Sequence, residues 1–400
     1  MLKKCPARRI CFVNSTRFWG GGEKWHFDAA LHLAAQGHRV WCVAHPGGEL
    51  LQRLAGTAVK RFPLAVANLS FLNPLKIARL AMFFRAERIQ TVVFNGSSEM
   101  KIASIAAAAA GVAARVYRRG VALPVKANVL NRFLLRKTVT HFLANSRGTA
   151  DALFSHGVLP RADRRVKIIY NGVDLSQFSP SPPKTAPAGG RRPVVLGTAA
   201  RLDPRKGHAF LIEMAARLKT RNFPFRLLIA GDGPLLQGLG RDVERRGLGK
   251  EVSLLGFVRD PASFMNGLDV FLFPSLSEGF GFAMVEAMAA ALPVVAFDAT
   301  SSSEIVDHGR TGLLVPQNNA GALADAVEIL AGDPVLRNRM GQAGRRRAAQ
   351  MFDREKQLKR LEAYLCREVL PPKATRTPPA APPAGRTFQP PAASAAGRRR

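Results

Sequence analysis

Short apolar runs alternate along the chain with longer stretches in which apolar residues recur every three or four positions. The short runs are rich in β-branched and aromatic residues, as β-strands are, and the longer stretches have the periodicity of amphipathic helices. Runs of the strand type are residues 9–13, 39–44, 91–94, 115–117, 140–144, 166–169, 193–197, 225–230, 252–255, 269–273, 293–297 and 312–315. This alternation predicts an α/β fold whose strands form parallel sheets.

A segment rich in Pro, Gly and Ser divides these runs into two series. Its composition is unsuited to a core element, so residues 179–192 are predicted to be a linker. The two series predict two doubly wound, Rossmann-like domains, residues 1–178 and 193–350. In such domains ligands bind at the carboxyl ends of the strands.

The last fifty residues divide into two parts of different composition. Helical spacing of Leu358, Leu361, Tyr364 and Leu365 predicts a packing helix within residues 351–370. Residues 371–400 contain mainly Pro, Ala, Gly and Arg, so a disordered basic tail is expected there.

Cysteine usage and hydropathy favour a cytoplasmic protein. The four cysteines, at positions 5, 11, 42 and 366, show no paired ligand spacing, so a reduced compartment is the simplest interpretation. The longest apolar run, residues 102–114, is shorter than the roughly 20 residues needed to span a bilayer. A strand-like run replaces the apolar segment of a signal peptide. We expect a soluble protein or one bound peripherally to the inner face of the cytoplasmic membrane.

Charge is distributed unevenly along the chain. The net charge is +31, and residues 1–180 carry 27 Lys and Arg against 8 Asp and Glu. Base composition of the genome is one explanation. The other is an anionic partner for the first domain, such as anionic lipid, a phosphorylated glycan or nucleic acid.

The most informative motif is Glu278-Gly-Phe-Gly-Phe-Ala-Met-Val-Glu286, which follows the apolar run 270–273. It is typical of a strand, a glycine-rich loop and a helix start. Glycines allow close approach of a ligand, and the free N–H groups at a helix start attract anions. Two carboxylates beside such an anion site can accept hydrogen bonds from sugar hydroxyls. The motif therefore predicts a nucleotide-sugar site.

Three further loops follow predicted strands. Arg201 and Lys206 bracket a short loop in the second domain, where two cations suit a diphosphate. Val258 ends a turn that follows the predicted strand 252–255. The backbone of this turn either contacts a nucleobase or is an ordinary turn without a ligand. Gly20-Gly-Gly-Glu23 permits close approach of phosphate or sugar in the first domain, although its spacing is not that of a dinucleotide-binding loop.

Two other patterns bear on partners. The histidines are scattered and no Asp-x-Asp sequence occurs, so no metal site or cofactor is predicted. Residues 125–137 place Val125, Val129, Phe133 and Leu134 on one predicted helical face with basic residues around it. This is either a helix on an anionic membrane surface or an ordinary Rossmann helix.

Taken together, these motifs resemble the family 4 retaining glycosyltransferases of the GT-B fold (glycosyl transferases group 1), which include bacterial cell-envelope and lipopolysaccharide enzymes. The resemblance implies two domains facing each other across a cleft, a final helix that crosses back to the first domain, and metal-independent retaining transfer from a UDP-, GDP- or ADP-sugar. It implies a catalytic role for Arg201, Lys206 and Glu278. It also implies donor binding by Gly21, Gly22, Arg201, Lys206, Val258, Glu278, Gly279, Phe280, Gly281, Phe282 and Glu286.

One position departs from the pattern of this family. Many members carry a histidine near the reacting sugar where this chain has Arg118-Arg119-Gly120. An arginine, with a pKa above ~12, cannot act as a neutral base, but it can bind phosphate or an acidic sugar. We therefore expect Arg118 and Arg119 to bind an anionic acceptor, such as a phosphorylated lipopolysaccharide core or a polyprenyl-linked glycan.

Two other functions are compatible with parts of the sequence. A nucleotide-sugar epimerase would share the fold, although the Arg-Lys pair with two glutamates argues against it. A nucleic-acid-binding protein would explain the charge, but basic patches interleaved with exposed aromatic residues are lacking, so no nucleic acid partner is expected.

Overall fold

In the computed structural model, residues 5–161, 163–179 and 192–369 are described, and they form two parallel α/β domains. The predicted linker, apart from its two end residues, and the predicted tail lie outside the described residues. The strands of the first domain have the order β3-β2-β1-β4-β5-β6-β7. They are β1 Arg9–Asn14, β2 Arg39–Ala44, β3 Lys60–Pro63, β4 Thr91–Phe94, β5 Ala114–Arg119, β6 His141–Ala144 and β7 Val166–Ile168.

The second domain has a six-stranded sheet in the order β10-β9-β8-β11-β12-β13. Its strands are β8 Val194–Ala199, β9 Phe225–Ala230, β10 Val252–Gly256, β11 Val270–Phe273, β12 Val294–Phe297 and β13 Gly312–Val315. In both domains the strand order reverses next to the first strand, which is the doubly wound arrangement that the sequence predicts.

Helices cover both faces of each sheet, which is why the central strands are apolar along their whole length. In the first domain they are α1 Gly21–Ala35, α2 Glu49–Arg53, α3 Pro74–Ala86, α4 Ser97–Ala109, α5 Val129–Phe133 and α6 Arg147–Phe154. In the second they are α7 His208–Thr220, α8 Leu236–Arg245, α9 Pro261–Asn266, α10 Phe282–Ala289, α11 Ser302–Ile305 and α12 Ala320–Gly332, followed by α13 Pro334–Met351 and α14 Arg354–Ala363.

The predicted strands are confirmed, and one strand was missed. Strand β3 lies at the edge of the first sheet, and three of its four residues are exposed. Lys60 and Arg61 give it polar character and Pro63 ends it, as is common for edge strands. An edge strand of this kind has no apolar run by which to recognise it.

The prediction that the apolar residues of segment 125–137 share one helical face is wrong. Helix α5 covers only Val129–Phe133 and is followed by a π-helical turn, Leu134–Thr138. Val125, which precedes the helix, is buried, as is Leu134, whereas Val129 is 85% exposed and Phe133 57% exposed. The apolar residues therefore divide between the core and the surface, because the segment is too irregular to present a single face.

Helix α14 returns to the first domain after the second domain is complete. Leu358, Leu361 and Leu365 join the core that Ile10 and Phe12 form on one face of the first sheet. Among the described residues, no helix combines the length and the apolar character required to cross a membrane.

The crossing point is a close backbone contact at Gly172. The N–H of Val173 donates to the carbonyl of Phe352 (2.8 Å), and the N–H of Arg354 donates to the carbonyl of Val173 (3.0 Å). Arg354 also pairs with Asp174 at 3.2 Å. A Cβ atom on Gly172 would lie 2.4 Å from the Cα of Arg354, so only glycine fits.

We expect Gly172→Ala to destabilise the protein by about 1–3 kcal/mol, because backbone must move to admit the methyl group. Gly238→Ala is the matched control, since Gly238 lies within α8 with nothing within 4 Å of an added Cβ, and it should be neutral or stabilising by up to about 1 kcal/mol. Thermal unfolding of the wild type and both variants measures these changes in stability. Equal melting temperatures would show that the crossing adapts to the extra methyl group.

Candidate active site

Two adjoining cavities lie at the carboxyl ends of the strands. The first has a volume of about 510 Å³ and is lined only by the second domain, at the ends of β8, β9 and β10. The second, which we call the cleft cavity, has a volume of about 300 Å³ and is lined by both domains. Ala199 and Ala200 line both cavities, so the two cavities lie side by side.

Lys206 and Glu278 form an ion pair on the second-domain wall of the cleft cavity. Lys206 ends a one-turn 3-10 helix, Pro204–Lys206, whose first turn is capped by the Asp203 side chain. Gly207 follows with φ +70°, and a Cβ there would lie 2.0 Å from the carbonyl oxygen of Pro274. The glycine thus permits the tight contact that holds Lys206 beside the loop containing Glu278.

Two helix N-termini meet in the cleft cavity. Helix α10 begins at Phe282 after Gly281 (φ +89°), and α1 begins at Gly21; neither has a side-chain cap. A Cβ atom on Gly21 would lie 2.8 Å from the Phe282 ring. First-turn N–H groups carry partial positive charge, so this convergence favours an anionic group in the cavity.

Bonds from both domains hold the loop between Glu278 and Phe280. The N–H of Glu278 donates to Thr300 Oγ1 (3.0 Å), and Ser301 Oγ donates to the Phe280 carbonyl (3.0 Å). From the first domain, Thr149 Oγ1 donates to the Gly279 carbonyl at 3.2 Å. A Cβ on Gly279 would lie 2.0 Å from the Gly120 carbonyl oxygen, so this glycine is needed for contact between the domains.

A second contact between the domains involves Glu304 on α11. Its carboxylate accepts hydrogen bonds from the backbone N–H of Arg147 (2.7 Å) and of Gly148 (3.0 Å), which begin α6. It also accepts one from the Tyr170 hydroxyl at 3.1 Å. A carboxylate at a helix N-terminus is favourably placed for the helix dipole, so Glu304 stabilises the contact between the two domains.

Arg118 forms part of the first-domain wall of the cleft cavity. It ends β5 together with Arg119, and the residue is 2% exposed. Its guanidinium donates to Asn95 Oδ1 (2.9 Å) and Asn171 Oδ1 (3.0 Å) and lies 4.2 Å from the centre of the Trp25 ring. Burial lowers the pKa of Arg118 from 12.5 to about 10, so the guanidinium remains charged at neutral pH.

Arg119 points away from Arg118 because successive strand residues face opposite sides of a sheet. Its guanidinium donates to the Tyr117 hydroxyl (3.2 Å) and to the carbonyl groups of Val121 and Leu123. It therefore stabilises the loop after β5. The structure separates two arginines that the sequence presents as a pair.

The remaining predicted residues occupy different places. Gly22, Phe280 and Gly281 line the cleft cavity, and Arg201 and Val258 line the first cavity. Glu286 is on the second turn of α10 and is not among the residues lining either cavity. Burial raises the pKa of Glu286, and the positive charge of Lys24 opposes that shift.

Several residues of the site belong to no recognisable sequence motif. Asn145 and Asn171 line the cleft cavity, and Asn95 holds Arg118. Asn95 and Asn145 come directly after the last residues of β4 and β6. A polar residue immediately after a buried strand is the signal that would have identified these two.

The glycine loop of α1 depends on a buried histidine. His26 Nδ1 lies 2.9 Å from the Gly22 carbonyl oxygen, so the neutral ring donates to it from Nδ1. The ring packs edge-on against Phe12 and Trp25. Burial, together with the charge of Arg118, lowers the pKa of His26 from 6.5 to about 3.

Two family models match the two domains. Residues 187–347 match the description "Glycosyl transferases group 1", and residues 19–177 match "Glycosyltransferase Family 4". A GDP-mannose-dependent alpha-(1-6)-phosphatidylinositol monomannoside mannosyltransferase of Mycobacterium tuberculosis is 30% identical over 313 residues, which are 73% of this chain and 79% of that protein. The chain belongs to the group 1 glycosyltransferases.

Other proteins match this chain over a smaller part of its length or only in fold. The putative glycosyltransferase EpsF of Bacillus subtilis is 34% identical over 183 residues, 44% of this chain. The match spans 47% of that protein, about half its length. The crystal structure of Anabaena HepE in complex with UDP has a TM-score of 0.76 at 23% identity and covers 89% of this chain and 99% of that one. The fold is thus GT-B.

We expect acid to destabilise this group 1 protein partly through His26. Its pKa is about 3 in the folded state and 6.5 ordinarily, so below 6.5 the unfolded chain binds the proton that the folded chain excludes. Stability should fall as pH decreases from 6.5 towards 3, by up to about 1.4 kcal/mol per pH unit from this residue.

His26→Asn, which preserves a donor to Gly22, should reduce that slope in denaturant unfolding measured at several pH values. His156→Asn is the control, because His156 is exposed and its left-handed backbone (φ 58°) tolerates Asn. If stability falls equally steeply with decreasing pH in the wild type and in His26→Asn, His26 is not the source of the acid sensitivity.

Proposed function

We propose that the protein is a retaining, metal-independent glycosyltransferase that transfers a sugar from a nucleotide-sugar donor to a lipopolysaccharide-core or other envelope glycan or lipid acceptor. The observation that carries the proposal is the cleft cavity itself. It brings the Lys206–Glu278 ion pair, the uncapped start of α10 and the glycine loop of α1 together. A second cavity of about 510 Å³ adjoins it.

The donor is proposed to extend through both cavities. The nucleobase lies in the first cavity near Val258, and the ribose extends beyond the lining of the cavities to Glu286, which accepts hydrogen bonds from its hydroxyls. The diphosphate lies between Arg201, Lys206 and the N-terminus of α10, where two cations and a helix dipole offset its charge. HepE was solved in complex with UDP and with UDP-glucose, and the mycobacterial relative is named for GDP-mannose. A UDP-, GDP- or ADP-sugar is therefore proposed.

Catalysis is proposed to rest on stabilising the departing nucleoside diphosphate. Arg201 and Lys206 neutralise the negative charge that develops on the phosphate as the bond to the sugar breaks. Glu278 accepts hydrogen bonds from hydroxyls of the transferred sugar and keeps Lys206 oriented before the donor binds. The acceptor hydroxyl attacks from the face that the diphosphate leaves and gives its proton to the leaving phosphate, so the anomeric configuration is retained.

A lipid-linked acceptor is supported by the surface of the first domain. Helices α3 and α4 and the turn after α5 pack on one face of the sheet, since Phe84, Met100 and Leu134 share one core. Large apolar side chains are exposed on these elements and the loops before them: Leu69, Leu72, Leu75, Met82, Val121, Leu123, Val129 and Phe133. Residues 65–150 carry 13 Lys and Arg against 2 Asp and Glu.

Exposed apolar groups among basic residues match an anionic bilayer, in which the apolar side chains insert and the cations contact lipid headgroups. The mycobacterial relative is named for a phosphatidylinositol acceptor. We therefore propose that this face, defined by α3 to α5, contacts the inner surface of the cytoplasmic membrane and presents the cleft to a membrane-borne acceptor.

Incubation with UDP-, GDP- and ADP-sugars and an envelope lipid extract should release a nucleoside diphosphate in an acceptor-dependent manner. Proton NMR of the product should show the anomeric configuration of the donor, and EDTA should leave the rate unchanged. Inversion would contradict the retaining mechanism. Conversion of the nucleotide sugar to its epimer without acceptor would identify an epimerase instead.

In this assay Lys206→Met should reduce kcat at least about 100-fold, because charge stabilisation of the leaving phosphate is lost. Glu278→Gln should lower kcat without weakening nucleoside diphosphate binding, because it removes a negative charge beside the phosphate. Lys219→Met is the control: Lys219 also pairs with a glutamate, Glu251, but on the outer end of α7. Equal losses in the Lys206 and Lys219 variants would contradict the assignment.

Vesicle sedimentation tests the membrane contact. The protein should bind vesicles containing phosphatidylglycerol, bind pure phosphatidylcholine poorly, and dissociate as salt is raised. Replacing Val129 and Phe133 by Ser should weaken binding at least about tenfold, because two inserting side chains are lost. Val335→Ser, at an exposed valine of α13 in the second domain, should have no effect. If the double variant binds vesicles as tightly as the wild type, this face is not the membrane-binding surface.

A further inference from the structure

Among the described residues, one cation of the cleft cavity forms no ion pair with a carboxylate. Its two lining cations are Arg118 and Lys206, and Lys206 already pairs with Glu278. Within the described part of the chain, no Asp or Glu lies in ion-pair distance of Arg118. Glu23 acts on it only from a distance, and the Glu23 carboxylate accepts a hydrogen bond from the Asn14 amide (3.1 Å).

Holding an unpaired guanidinium in a buried position is costly, since the charge loses hydration without gaining an opposite charge. The protein partly offsets this cost with neutral groups. Two amide oxygens, from Asn95 and Asn171, accept hydrogen bonds, and the Trp25 ring lies against the guanidinium face. These contacts fix the orientation of Arg118 but leave its positive charge available to a ligand.

The diphosphate of the donor does not require this charge. Its charge is offset by Arg201, Lys206 and the start of α10, which all belong to the second domain. Arg118 belongs to the first-domain wall on the opposite side of the cleft cavity. Its neighbours in that wall are Gly120 and Asn145, which leave room for a sugar-sized group. An anion bound by Arg118 is therefore additional to the diphosphate and lies on the first-domain side of the transferred sugar.

We propose that Arg118 binds a carboxylate or phosphate group carried by the sugar substrates, so that the enzyme selects an anionic sugar. This inference rests on the proposed function and adds the substrate class. The anion has two sources: a uronic acid as the transferred sugar, or a phosphorylated or uronic acid residue at the acceptor end. An arginine suits both, because its planar N–H groups can donate two parallel hydrogen bonds to carboxylate or phosphate oxygens.

The test uses the full-length chain and begins with UDP, GDP and ADP. Thermal stabilisation identifies the nucleotide. Calorimetry then compares donors of that nucleotide that differ only at C6, such as UDP-glucose and UDP-glucuronate. In a second arm the nucleoside diphosphate is bound first, and methyl α-glucoside is compared with methyl α-glucuronide and with glucose 6-phosphate. We expect the anionic compound to bind at least about tenfold more tightly in one of the two arms, as for a charge-assisted hydrogen-bonded pair.

Variants assign that preference to Arg118. Arg118→Gln should abolish it while leaving nucleoside diphosphate affinity unchanged, and Arg118→Lys should retain a part of it. Arg115→Gln is the control, because Arg115 lies three residues earlier in β5 and donates to the carbonyl groups of Val112 and Thr138, away from the cavity. Circular dichroism establishes that each variant is folded.

Equal binding of neutral and anionic compounds by the wild type in both arms would overturn the inference without any variant. An anionic preference that survives in folded Arg118→Gln would overturn it as well. In either case, binding of a nucleoside diphosphate would still support the proposed glycosyltransferase function. If none of the three nucleotides binds, the proposed function fails and this inference fails with it.

Discussion

The site depends on one geometric constraint: parallel strands deliver every following loop and helix N-terminus to the same edge of a sheet. Because both sheets present that edge to the cleft, the starts of α1 and α10 approach until Gly21 meets the Phe282 ring. Their partial positive charges add to those of Lys206 and Arg118. Glu278 offsets only part of this potential, so the cleft favours a ligand that carries more than one negative charge.

The cations of the site are held in different ways, and each way fits a different task. Lys206 pairs with a carboxylate on a neighbouring loop, so a phosphate can replace that partner when it arrives. Arg118 is fixed by amide oxygens and an indole ring, so its orientation does not depend on a carboxylate partner. The first arrangement suits a group that binds and leaves in each cycle, and the second suits discrimination between substrates.

Periodicity in the sequence was sufficient to predict the strands because central parallel strands are apolar on both faces. It missed β3, where exposed Lys60 and Arg61 obscure the signal. The motifs identified the residues of the second-domain wall, since these lie close together in sequence. Opposite orientations of Arg118 and Arg119 follow from strand geometry but require knowing where β5 ends. Glu304 bonds across the domains to residues more than a hundred positions away, and Asn171 bonds to Arg118, 53 positions away; no local pattern reveals such partners.

The contact between Gly279 and Gly120 has a consequence for turnover. The loop between Glu278 and Phe280 touches the first domain directly, and Thr149 bonds to the same loop. Any rotation that widens the cleft must therefore separate these glycines and break that bond. In the proposed glycosyltransferase, opening the cleft and detaching this loop from the first domain are then one movement, so each opening that releases products also prepares the site for a new donor.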